Sequence, residues 1–147
     1  MAIVKITGAT VGADSATYSA GDLVGAKLTF TGYGGRAYDC PILSAFTVQD
    51  LAAQNADLRI LLFDADPAAT TFTDDAELDV DDADLPKLVA WFQVAAADYT
   101  SFKDSSVATV KNLAIPLRVS TMYIAIVTEG TPTYVADCLS LAALVIP

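Results

Sequence analysis

Histidine is absent from this 147-residue chain, and cysteine occurs only at Cys40 and Cys138. With no histidine and no CxxC pair, a zinc site of the usual kind is not expected. No uninterrupted apolar run approaches the roughly 18 to 20 residues of a membrane-spanning helix. Basic residues are scarce too: eight Lys and Arg stand against 18 Asp and Glu, a formal charge of −10. Nucleic-acid binding needs clustered cations to displace counterions, so this balance argues against it, and equally against anionic membrane surfaces. The opening MAIVKITGATVGADS holds one Lys and no long apolar segment. No secretory signal is therefore expected, and cytoplasmic synthesis is the default. In that compartment Cys40 and Cys138 read as two buried thiols, with their pairing left open. No catalytic constellation appears, and no enzyme activity is expected.

What the chain does have is apolar surface, 54% of its residues. That excludes disorder by composition and suits one domain with a sizeable core. Much of it alternates with a period of two, the signature of half-buried antiparallel strands. Strands are expected at residues 2–6, 23–31, 42–49, 58–63, 88–97, 107–111, 122–128 and 139–146, with an alternating apolar face at 113–119. In the second, Val24, Ala26, Leu28 and Phe30 share a face; in the third, Ser44, Phe46 and Val48 alternate with Leu43, Ala45 and Thr47. Residues 58–63 are apolar on both faces except at Arg59, which predicts a central, well-covered strand. Trp91 on its apolar strand reads as core, and residues 98–104 as a polar loop. Gly21 is available for the positive φ of a turn at 18–22. The Gly-rich residues 32–36 lack the Lys-Ser or Lys-Thr pair of a phosphate loop and read as a surface hairpin. Eight to ten strands, one long connection and almost no helix indicate an all-β sandwich or jelly roll in a single domain, residues 1–147.

The long connection is acidic. In LRILLFDADPAATTFTDDAELDVDDAD (58–84) an apolar strand breaks at Pro67, which has no amide to donate. Asp74 with Glu77 is expected to cap one helical turn, and the DDADL segment a second that Pro86 keeps short and Lys87 ends. As a calcium loop the segment fails in both registers. From Asp64, Ala69 stands where Gly should be, and from Asp79, Asp84 does. A cation cluster of another type at Asp64, Asp66, Asp74 and Asp75 is left as a minor alternative to a solvated, capping surface. Tyr33, Tyr38, Trp91, Phe102 and Tyr134 are candidates for a carbohydrate platform, the other alternative.

Several phrases carry a family likeness: YSAGDLVG at 18–25, LLFDADP at 61–67, TTFTD at 70–74, DDADL at 81–85 and EGTPTY at 129–134. Together they resemble small virion proteins of tailed bacteriophages found beside the major capsid protein. Some of these are jelly-roll head decoration, or cement, proteins. The resemblance implies a structural role on the capsid surface, the major capsid protein as partner, and self-association as a dimer or trimer. It implies no cofactor. The docking surface is expected to draw on Ile3 and Lys5 near the amino terminus, Tyr33 and Arg36 in the Gly-rich loop, and Asp74, Asp75, Asp81 and Asp82 in the acidic excursion. A receptor-binding or tail-associated module that takes sugar or calcium is the alternative.

Overall fold

Alternating apolar and polar side chains give nine strands among the residues described, which in this computed structural model are 2–6, 17–33 and 40–146. They are β1 (Ala2–Ile6), β2 (Leu28–Thr31), β3 (Ile42–Asp50), β4 (Leu58–Phe63), β5 (Leu88–Val94), β6 (Tyr99–Phe102), β7 (Ser105–Pro116), β8 (Thr121–Thr128) and β9 (Leu139–Ile146). All pairings are antiparallel, and they form two sheets of order β1-β9-β3-β7-β6 and β2-β8-β4-β5. The pairs nest: β1 joins β9, β2 joins β8, β3 joins β7 and β4 joins β5. The β3–β9 and β4–β8 contacts then complete the sheets, and β6 is an added edge on β7.

The sheets face one another across a core in which Phe30, Phe46, Val48, Leu58, Ile60, Leu62, Ile124 and Val145 are almost fully buried. Phe46 meets Phe92 edge to face, with ring centroids 5.1 Å apart. A second, smaller cluster lies on the outer side of the four-stranded sheet. There Leu23, Leu61, Phe63, Ala125 and Val127 are covered by Phe72, Leu78 and Val80. The two-faced apolar character of β4 is thereby explained: its outer face is roofed by the acidic excursion that follows it.

Several sequence expectations are corrected. The strand expected at 23–31 begins only at Leu28, because Gly25 takes φ 79° and turns the chain, leaving Ala26 exposed. A bulge between Leu43 and Ala45 resets the alternation of β3, so Leu43 joins Phe46 and Val48 in the core while Ala45 and Thr47 face outward. Residues 88–97 divide into β5 and a 3-10 turn at Ala96–Asp98. The polar loop expected at 98–104 is a hairpin instead: β6 returns into β7 through Lys103 and Asp104, with Lys103 at φ 66°. The strand expected at 107–111 runs unbroken through the 113–119 segment as far as Pro116. Cys40 is exposed and only Cys138 is buried, and both are free thiols. Trp91 is not core. It lies on the outer side of edge strand β5, 61% exposed, with the Arg59 guanidinium 5.5 Å from its ring centre.

Candidate functional site

The acidic excursion is an extended strap laid across the four-stranded sheet. From Thr71 to Val80 its side chains alternate: Phe72, Asp74, Ala76, Leu78 and Val80 are half-buried, while Thr71, Thr73, Asp75, Glu77 and Asp79 are exposed. Backbone bonds hold it in place. Leu23 donates to the Ala76 carbonyl (2.8 Å), Asp75 to that of Leu23 (3.0 Å), and Leu78 to that of Gly21 (3.0 Å). Gly21 itself has φ 101°, a backbone conformation that a side chain at Cβ would strain.

The strap's inward acids are structural. One Asp74 carboxylate oxygen accepts from the Tyr18 hydroxyl (2.8 Å) and from the Gly25 amide (2.7 Å). With its carboxylate committed there, Asp74 caps no helical turn, and the turn expected at that point does not form. The second expected turn does form, as a 3-10 turn at Leu85–Lys87 with Asp84 at its start. The Asp84 side chain is fully buried and accepts from the Thr70 amide (2.6 Å), the Thr70 hydroxyl (2.8 Å) and the Lys87 ammonium (2.6 Å). Burial by itself would raise its carboxyl. The hydrogen bonds from Lys87 and Thr70 outweigh that and lower it from the ordinary 3.8 to about 2.

A folded-state value below the unfolded one means that the carboxylate stabilises the strap fully above about pH 4 and loses that effect as pH falls toward 2. Asp84→Asn is therefore expected to lower the Tm at neutral pH, with the gap from the parent chain closing through this window. Thermal melts recorded from pH 6 to pH 2 check it, and a gap independent of pH contradicts it.

The residues expected to dock a partner fall into distinct groups. Asp75, Asp81 and Asp82 are exposed on the strap, and the Asp81 carboxylate accepts from the Ala83 amide (2.8 Å). Thr70, Thr71, Thr73, Glu77, Asp79 and Asp81 line an open cleft of about 400 Å³. Asp64 and Asp66 are exposed, and Asp66 is paired with Lys27 rather than gathered with Asp74 and Asp75. Among the described residues no group of three or more acid or thiol side chains converges as a metal site would. Tyr33 is a correction: it is buried against Phe30, with ring centroids 4.5 Å apart, and its hydroxyl donates to the Val119 carbonyl (2.6 Å). Burial pushes that hydroxyl up to about 12. Tyr134 is fully buried as well, so among the described residues the carbohydrate platform keeps only Trp91 and Phe102 as exposed rings. Arg36 and Tyr38 lie outside the described residues. Ile3 and Lys5 belong to β1, where the register sets them opposite Leu144 and Ala142.

Sequence reasoning missed two features. At one end of the sandwich, buried Asp50 accepts from the Ala52 amide (2.9 Å) and the Asn55 amide (3.1 Å). Ser106 stands opposite it on β7. Burial raises the Tyr99 and Tyr134 hydroxyls, and the Asp50 charge adds to both shifts. Those two hydroxyls, the Ser106 hydroxyl and the Asn55 side-chain oxygen find no hydrogen-bond partner among the described residues. The second feature is the exposed array beside the strap, where Glu129 holds both Arg59 and Gln93 and Arg59 stacks on Trp91. Arg59 is the single polar residue in its strand, and that was its only signal. No helix among the described residues is long and apolar enough to cross a membrane. No family model, curated protein or solved structure matches this chain.

Proposed function

We propose that this chain is a jelly-roll structural protein that decorates a bacteriophage head, binding the outside of the major capsid lattice and performing no reaction. The observation that carries the reading is the nested pairing of first strand with last, second with next-to-last, and so inward to β4 and β5. Such nesting supports a wrapped-hairpin, jelly-roll reading of the all-β sandwich, with β6 as an addition. The phage-like phrases of the sequence imply the same fold. The strap then has a use beyond covering the sheet. Its outward carboxylates, Asp75, Glu77, Asp79, Asp81 and Asp82, form an acidic surface suited to a basic patch on a shell. Trp91 and Arg59 at its margin are the residue types that anchor interfaces. Repetition over a lattice lets each contact be weak.

Purified virions test the proposal. The protein is expected on heads in copy numbers comparable with the capsid protein. Asp79→Lys combined with Asp82→Lys is expected to lose head binding while keeping its β spectrum. Absence from the particle, or a few copies confined to the tail, rejects the reading.

A further inference from the structure

The two outer faces of the sandwich differ in charge. The strap coats one with carboxylates. The other, the outer face of the five-stranded sheet, has none among its described residues. Strand register assigns the members of that face. Leu144, Ala45 and Lys111 form one row, Ala142, Thr47 and Thr109 the next, and Ser140, Gln49, Val107 and Thr100 a third. Ile42 and Ile146 pair at one end, 40% and 43% exposed, and Phe102 lies at the far edge, 59% exposed. The polar members are spent within the face: the Thr47 and Thr109 hydroxyls bond each other (3.2 Å), and Ser140 donates to Gln49 (2.7 Å). Lys111 is the one charged side chain that β3, β6, β7 and β9 bring to it, and the register sets Lys5 of β1, another base, opposite Ala142. A solvated antiparallel face is ordinarily polar, and this one is apolar or small-hydroxyl in a chain with 18 acids.

We infer that this face is where a second copy of the chain docks, sheet against sheet about a two-fold axis. Charge placement selects that occupant. Each chain carries −10, and the acid-free face is where two copies meet without setting carboxylate against carboxylate. In a symmetric pair the two straps end up on opposite outer surfaces. With sheets stacked at about 10 Å, the two four-stranded sheets stand roughly 30 Å apart and the straps on their outer sides farther still, several screening lengths at physiological salt. The area suffices. β3 and β9 are 9 and 8 residues long. At about 3.3 Å per residue and about 4.8 Å between five strands, the face measures roughly 20 by 28 Å. Two such faces bury about 1,100 Å², just above what separates a specific interface from an incidental contact. The small and β-branched side chains lose little rotamer freedom on docking. The pairing stands whether or not the protein rides on a phage head.

Sedimentation over about two decades of concentration tests it. The mass is expected to rise from one chain toward two and stop there. Thr47→Glu, at the centre of the face, is expected to leave a monomer at every concentration. Lys111→Glu, on an exposed side chain that the fold does not need, is expected to weaken the dimer about tenfold or more. Thr73→Glu, which adds the same charge to the strap, leaves it intact. Circular dichroism of each variant confirms that the sheets persist. A chain that stays monomeric throughout, a trimer or larger ring, or a dimer indifferent to both face variants overturns the inference.

Discussion

Phe46→Ala is expected to lower the unfolding free energy by about 3–5 kcal/mol, roughly a fifth or more of the about 5–15 kcal/mol that a domain ordinarily has. Phe46 is fully buried at the middle of β3, the strand that pairs with both β7 and β9. Truncation removes its transfer free energy, leaves a cavity and abolishes the edge-to-face contact with Phe92. Urea unfolding checks this: the midpoint is expected to fall with little change in slope. A loss below about 1 kcal/mol would mean that the two sheets do not meet at this point.

The second large effect is expected at Asp50. Asp50→Ala removes the acceptor of the part-buried Ala52 and Asn55 amides from a position that is itself fully buried. Each stranded donor costs about 1–3 kcal/mol, so the sum is about 2–6 kcal/mol. The neighbouring Tyr99, Ser106 and Tyr134 hydroxyls find no hydrogen-bond partner among the described residues. Asp50→Asn keeps an acceptor oxygen and is expected to cost less than the alanine variant. Parallel urea titrations of the two variants decide it, and equal losses would show that the hydrogen bonds are not the source.

Much of the fold was legible because each strand's alternation is a local property. β4, β8 and β9 emerge with bounds within a residue of those expected, and the 3-10 turn falls where Pro86 and Lys87 foretell it. The failures have non-local causes. Nothing near Asp74 in the chain announces that its carboxylate is taken by Tyr18 and Gly25 from a distant segment. The bulge in β3 brings Leu43 onto the core face with Phe46 and Val48 without any glycine to mark it. The β6–β7 hairpin turns on Lys103 and Asp104, which lack the Asn-Gly or Asp-Gly signal of a two-residue turn. Trp91 was misplaced because an edge strand shares its composition with a central one, and only sheet order separates them. At the candidate site the acids could be found in the sequence, but their division into inward ties and outward charge could not. That division needs the sheet beneath them.

The union of β1 with β9 also bears on how the chain is made. The ribosome delivers β1 first and must finish Leu139–Ile146 before the five-stranded sheet has its second strand in place. Until then β1 has no mate, and closing that long loop sets an entropic barrier that no local turn can relieve. Refolding is therefore expected on the millisecond-to-second scale of non-local β topologies rather than in microseconds. Nascent chains stalled before β9 would present an open, sticky edge to whatever chaperone is at hand.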